Sequence, residues 1–234
     1  MSGPVTYSLQ GSVATIAMDD GKVNALSPAM LAELAAAFDQ AAVDQAVVVL
    51  AGRSGIFSAG FDLRVLTGGG PEAVPMLQAG FRLADRMLSF PAPVVLACTG
   101  HAIAMGVFLV LSADYRVGAE GPFRITANEV AIGLTLPRAA IEVCRQRLTP
   151  AAFTRAVLLA EVYSPADAVG AGFLDQVVAP EKVVASAQAA AEQMASTLNL
   201  AAHDASKQRA RAATLDALRK AMAEDDADMG AAAR

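Results

Sequence analysis

PVVLACTGHAIAMGVFLVLSADYRV, residues 93–117, is the stretch on which the fold turns. From Met87 to Ala113 there is no Asp, Glu, Lys or Arg, a run long enough to cross a bilayer. Its interruptions argue for something else. Pro91 and Pro93 would break a helix at its start, and Gly100 and Gly106 divide the rest of the run. VVLAC, 94–98, is short, apolar and rich in valine, the pattern of a parallel strand buried on both faces. MGVFLVLSA, 105–113, reads as a separate buried helix. Two buried elements joined by a turn account for the run, whereas a membrane span needs unbroken backbone pairing.

Outward from this stretch, strands alternate with helices. Residues 5–9 and 13–18 read as strands, with Gln10-Gly11-Ser12 as their turn. Ser27 before Pro28 forms an N-cap signature. Leu31, Leu34, Ala35 and Phe38 share one face, which predicts a helix from Pro28 to Ala42. AVVVLAG, 46–52, is a buried strand. Gly68 to Gly70 lacks the Lys-Ser/Thr of a phosphate loop and reads as a flexible loop before a helix over 72–88. DYRVGA, 114–119, and FLDQVV, 173–178, are strands, and residues 137–148 are helical. Thr149-Pro150 and Ser164-Pro165 open two further helices. From Glu181 the chain is Ala-rich and helical, with a break near Asn199, and its acidic end AEDDADMGAAAR is expected to fray. The pattern is α/β with largely parallel strands.

The totals narrow the function. With 55% hydrophobic and 18% charged residues in 234, a large core is expected. A net charge of −5 argues against a nucleic-acid partner. MSGPVTYSLQGSV has neither the basic nor the apolar region of a signal peptide, so a cytoplasmic setting is expected. Cys98 and Cys144 lie in apolar surroundings and read as buried thiols of a reducing compartment. No His/Cys group has metal-ligand spacing, so no metal is expected. His101 reads as a packed or hydrogen-bonded core residue and His203 as structural or exposed. Ser58 has no Ser-His-Asp context that would make it a nucleophile.

Chemistry is expected where strands end and helices begin. Two small-residue loops stand there: FSAGFDLRVL after AVVVLAG, and GHAIAMG after VVLAC. Small residues let a ligand approach the backbone, and free N–H groups at a helix start can bind a developing oxyanion. One amide from each loop would make an oxyanion hole.

IFSAGFDL, then PVVLACTGHAIAMG with SADYRV, then NEVAIGL, in this order and spacing and with GKVNAL ahead of them, resemble the crotonase family of acyl-CoA enzymes, whose typical members are enoyl-CoA hydratases and isomerases. The resemblance covers residues 5–200. It implies a spiral of ββα units over residues 1–200 and a C-terminal helical segment, 201–234, that supports a homotrimer or hexamer. It implies an acyl-CoA thioester as substrate, with coenzyme A part of that substrate and no separate cofactor. It also implies a thioester enolate held by the amides of Phe61 and Met105. Coenzyme A would pass Val23, Ala25, Ala59, Asp62, Leu63 and Arg64. Lys207, in a basic cluster with Arg209 and Arg211, stands where a C-terminal lysine of the family often reaches a neighbour's nucleotide.

The acid–base pattern departs from a hydratase. Glu129 in NEVAIGL matches one of the two glutamates, and a lone carboxylate by an apolar pocket would have a raised pKa. The other glutamate position holds Phe108, which carries no proton. Met105 replaces the usual glycine, and the family's GAGG is absent after Pro137, which alters one pocket wall. One glutamate fits double-bond isomerisation better than efficient hydration. A non-catalytic acyl-CoA or acyl-carrier binding protein is the alternative of a different class.

Overall fold

The computed structural model describes residues 3–68 and 70–232. The chain begins with β1 (Val5–Gln10), β2 (Val13–Met18), α1 (Pro28–Val43), β3 (Val47–Ala51), β4 (Gly55–Ser58), α2 (Leu63–Thr67) and α3 (Ala73–Ser89). It continues with β5 (Val94–Cys98), β6 (Gly100–Ile103), α4 (Met105–Ser112), β7 (Tyr115–Ala119), β8 (Ile125–Thr126) and α5 (Arg138–Arg145). The last elements are α6 (Pro150–Leu159), α7 (Pro165–Ala171), β9 (Gln176–Val178), α8 (Val183–Thr197) and α9 (Leu200–Ala232).

Two sheets share these strands. The larger runs β1-β2-β3-β5-β7-β9, antiparallel only at the β1–β2 hairpin. The smaller runs β4-β6-β8 and is parallel. Each successive pair, β3/β4, β5/β6 and β7/β8, sends its first strand to the large sheet and its second to the small one before a helix follows. This is the expected ββα spiral. β3 and β5 carry no polar alternation because both faces are buried. Val48, Leu50, Val94, Leu96 and Cys98 point into the main core with α1, α3 and α4. Val47, Val49, Ala51, Val95 and Ala97 point the other way, onto Val183, Ala187 and Ala191 of α8.

The run 87–113 is a core feature. VVLAC is β5, and Met105–Ser112 is a helix whose residues are all buried. Among the described residues, no helix is long and apolar enough to cross a membrane. Gly100–Ile103, expected as a turn, is instead β6. It is too short to show a period, and its strand character comes from pairing with β4 and β8, remote in sequence. A Cβ at Gly100 would sit on the Gly55 backbone, so only glycine allows this approach. FLDQVV is strand only from Gln176, because the Asp175 carboxylate turns to the backbone and guanidinium of Arg116. The Ser27, Thr149 and Ser164 side chains each accept the expected N-cap hydrogen bond. Gly68 caps α2, and Gly69 lies outside the described residues.

The C-terminal end departs from expectation. Asn199 breaks the chain as read, its Oδ1 accepting from Ala202 N–H and so capping α9. The acidic end is not frayed through Ala232: α9 docks along α3 and α5 of its own chain, with Leu215, Leu218 and Ala221 buried. The last two residues of that stretch lie outside the described residues. Polar ties reinforce the seam. Asp114, at the end of the decisive run, accepts from Val94 N–H (2.7 Å), Lys207 Nζ (2.7 Å) and Arg211 (2.8 Å). Lys207 is buried, and its Nζ also donates to Ala92 O.

Removing one partner of a buried ion pair leaves an uncompensated charge, which costs about 3–5 kcal/mol. Asp114→Asn is therefore expected to destabilise the chain by about 3 kcal/mol in urea unfolding. A change under about 0.5 kcal/mol, the range of an ordinary surface substitution, would show that Lys207 and Arg211 have other partners.

Candidate active site

The site begins in the loop after β2. Asp20 accepts from Lys22, Asn24 and Ala25 N–H, folding DDGKVNAL into a tight turn. Asn24 is fully buried at φ 50°, and its side-chain amide donates to Met18 O and Phe57 O. Asparagine tolerates this left-handed conformation better than most residues. Ser58 is also buried; its hydroxyl donates to Asn24 O at 2.7 Å and accepts from Gly60 N–H. Its role is structural.

Two amides are thereby left free. Ala59 N–H donates to Val23 O, Leu26 N–H to Gly60 O, and Asp62 N–H to Leu26 O. In this parallel bridge between Leu26 and Phe61, the bonds run through residues 60 and 62, so the Phe61 N–H points to the other side. Met105 is the first residue of α4, where a helix leaves its N–H groups unpaired. Among the described residues, neither amide donates to a protein acceptor.

Backbone geometry brings them together. Gly60 has φ 90°, and a Cβ there would stand 2.9 Å from Ala104 Cβ and 3.3 Å from Met105 N. Ala104 has φ 51° and ψ −127°, unusual for a residue with a side chain. Such strain persists only where the surroundings over-determine it. Here Ala104 N–H is tied to Thr126 O at 3.0 Å, and Gly106 packs against Ser58 so closely that a Cβ would meet its carbonyl at 2.6 Å. Gly80 of α3 lies against the Phe61 ring and near the Met105 methyl.

Glu129 follows Thr126 by three residues, just ahead of a 3-10 turn over Val130–Ile132. It is 8% exposed, and its Oε2 has no hydrogen-bond partner. Burial pushes its pKa above the ordinary carboxylate range, partly opposed by its own backbone N–H. Burial, and then the Glu129 charge, push the Cys144 thiol up. Burial raises Cys98 to about 12, so neither thiol is a ready nucleophile. Phe108 is fully packed. Its ring stacks on Phe81 at 6.2 Å, and Phe81 meets Phe61 edge-on at 6.4 Å. An aromatic cluster thus includes the position at which a second acid would be needed.

A model of the enoyl-CoA hydratase/isomerase family matches residues 8–231. The chain belongs to this family. Its spiral and its C-terminal helix agree with the crotonase fold. A solved Mycobacterium tuberculosis protein, named an enoyl-CoA isomerase in one structure and a probable enoyl-CoA hydratase in another, is 49% identical; in the first the TM-score is 0.92 over 97% of this chain and 99% of that one. An enoyl-CoA hydratase from Mycobacterium marinum is also 49% identical with TM-score 0.92, over 96% and 99% of the two chains. Human mitochondrial enoyl-CoA delta isomerase 1 is 31% identical over 186 residues, which is 77% of this chain but 62% of that protein. The names of these relatives divide between hydratase and isomerase.

The residues expected along coenzyme A fall into two groups. Val23, Ala25 and Ala59 share one hydrogen-bonded seam, with Val23 exposed. Leu63 and Arg64 lie on the exposed side of α2, and Arg64 is available at the surface. Asp62 is 7% exposed; it caps α2 through Arg64 N–H and pairs with the Arg64 guanidinium, which lowers its pKa. Lys207 corrects the reading of the C-terminal basic cluster. It sits inside the fold, held by Asp114, and does not offer its ammonium to a neighbour's nucleotide. A solvated helix face and a buried ion pair look alike in sequence until the partner, 93 residues away, is placed. His101 is hydrogen-bonded as expected, its Nδ1 accepting from Arg124 N–H, and His203 is partly buried. The positioning roles of Asn24, Ser58 and Ala104 are not visible in the sequence. The Asp and Asn of DDGKVNAL are the one local trace of that turn.

Gly60→Ala should force the two loops apart while leaving the sheet intact. Losing one oxyanion donor costs about 10²–10³ in kcat, so turnover of an enoyl-CoA thioester should fall at least about 100-fold with the circular dichroism spectrum retained. Wild-type turnover by the variant would remove this loop pair from the site.

Proposed function

We propose that this protein is an enoyl-CoA isomerase that shifts a double bond from the 3,4 to the 2,3 position of an acyl-CoA thioester. The observation that carries the reading is that Glu129 is buried with an unpartnered oxygen, whereas Asp62, also buried, is paired with Arg64, and Phe108 is locked in an aromatic stack. The Phe61 and Met105 amides would hold the thioester oxygen. Glu129 would take a proton from C2, leaving a dienolate whose charge rests on that oxygen, and return it to C4. Proton and electrons balance with one base, and no metal or redox cofactor is required; coenzyme A arrives as part of the substrate. Hydration would need a second group to position and deprotonate water.

Coenzyme A would run along Val23, Ala25, Ala59 and Leu63, with Arg64 exchanging Asp62 for a phosphate. A homotrimer accords with the apolar residues left exposed beside the site, Val130, Ile132 and Leu134, and at the end of α6, Leu158 and Leu159. A cytoplasmic setting accords with two free, buried thiols.

Offering 3-enoyl-CoA and 2-enoyl-CoA separately, with products followed by mass spectrometry, tests the reaction. The expected product from the former is the 2-enoyl isomer, and no 3-hydroxyacyl-CoA is expected from either. Hydroxyacyl product at comparable rate would overturn the assignment, and acyl-CoA binding without turnover would favour a binding protein. Glu129→Gln should abolish isomerisation yet bind product.

The same variant reads the pKa. A carboxyl whose folded pKa is raised favours the protonated native state, a contribution present below its unfolded value and lost as pH rises through the folded value. Glu129→Gln should therefore melt at or above wild type at neutral pH, with the gap closing as pH falls toward 4.5, the ordinary value. The acid limb of kcat/KM should likewise lie above that value. A variant that melts lower at every pH would mean the carboxylate is satisfied in the fold.

A further inference from the structure

Gly80 lies in the middle of α3, buried on the face it shares with Met76, Ala84 and Met87. A glycine inside a helix is less favourable than an alanine, because it gives up more backbone freedom on folding. The surroundings supply a reason for one here. A Cβ at Gly80 would stand 2.5 Å from Cζ and 2.6 Å from Cε1 of Phe61, and 3.5 Å from Cε of Met105. The first two separations are closer than carbon atoms approach, and the third is an ordinary contact. Phe61 and Met105 are the two residues whose N–H groups stay free, and they belong to separate loops. Their side chains end at one point on a third element.

The ring has no second place along α3. Phe81 meets it edge-on at 6.4 Å, and Phe81 is itself stacked on Phe108 at 6.2 Å, both of them buried. A methyl group at Gly80 would therefore drive the ring off the helix and carry the Phe61 α-carbon with it. Each free N–H lies in a planar peptide unit. The ends of that unit are the α-carbons of Gly60 and Phe61 in one loop, and of Ala104 and Met105 in the other. The close packing of Gly60 on Ala104 fixes the first end of each. The second end is held unevenly for Phe61. Leu26 N–H donates to Gly60 O at 2.8 Å, whereas Asp62 N–H reaches Leu26 O only at 3.5 Å. Moving the Phe61 α-carbon would tilt the plane that aims its amide.

We propose that Gly80 is a positioning residue for the reaction: its missing side chain is what lets a phenyl ring and a thioether stand at the two donor positions without turning their amides off the thioester oxygen. The inference rests on the acyl-CoA reading above. Negative charge on that oxygen grows on the way to the dienolate, so a tilted donor acts on kcat more than on KM.

The test compares wild type, Gly80→Ala, Phe61→Leu and the double variant with 3-hexenoyl-CoA as substrate. Leucine has no atom at the Cζ and Cε1 positions and makes room for the new methyl group. Gly80→Ala is expected to lower kcat at least about tenfold with KM within about threefold of wild type. In the Phe61→Leu background the same substitution is expected to change kcat less than about threefold. Infrared spectra of bound hexanoyl-CoA, isotope-labelled at its thioester carbonyl, give a reading without turnover. Hydrogen bonds from the two amides should lower the carbonyl frequency in wild type, Gly80→Ala should lose part of that shift, and the double variant should match Phe61→Leu. Wild-type kcat and carbonyl frequency in Gly80→Ala would overturn the proposal. So would a double variant about tenfold or more below Phe61→Leu, a comparison that does not need Gly80→Ala alone to fold. If wild type turns over no 3-enoyl thioester, the isomerase reading fails and the carbonyl shift alone decides the role of Gly80; an unshifted carbonyl in wild type would overturn both.

Discussion

Two backbone turns that cannot move apart hold this site in place. Gly60 and Ala104 both have positive φ, and the side of one packs on the Cβ of the other. Each turn is pinned from behind: Gly60 through the Leu26–Phe61 bridge and the Ser58 hydroxyl, Ala104 through the Thr126 carbonyl. Among the described residues, the next N–H group after each turn has no protein acceptor. Because the donors are main chain, they need no rotamer to be held, and a Phe and a Met can occupy these positions without loss. Unpaired main-chain donors of this kind can stabilise charge that develops in a transition state.

The two sheets exist to make that contact. β3 and β5 place the loop starts side by side in the large sheet, and β4 and β6 then carry both chains into the small one. β8 adds the third strand, and with it the segment that carries Glu129. The segments that carry Glu129 and the Met105 amide are therefore joined by the hydrogen bond from Ala104 N–H to Thr126 O. Phe61, Phe81 and Phe108 form an aromatic cluster, and burial raises the Glu129 pKa above the ordinary carboxylate range.

Much of the fold is legible in the sequence because it is recorded locally. Three cap-then-proline pairs mark helix starts, and the valine runs mark β3 and β5, since strands buried on both faces lose polar alternation. β6 is not legible: four residues of mostly small side chains have no period, and their pairing lies in β4 and β8. The free amides can be inferred from the loop composition only with the family resemblance beside it. The strain at Ala104, which aims one of them, cannot, because alanine gives no sign of a positive φ. Lys207 misleads for a related reason. A helix with Lys207, Arg209 and Arg211 looks like a basic surface, and only the position of Asp114 shows that two of these charges are turned inward.

The sequence by itself determined the α/β alternation, the non-membrane nature of the run 87–113 and the two small-residue loops. These are properties of residue type and short spacing, which neighbouring backbone geometry enforces. Tertiary structure alone decided which amides remain unpaired, how far Glu129 is buried, and that α9 folds back onto α3 and α5. Those depend on groups about 30 to 90 residues apart meeting at hydrogen-bond distance. No local propensity encodes such a meeting, because its free energy arises only when the whole core has closed around it.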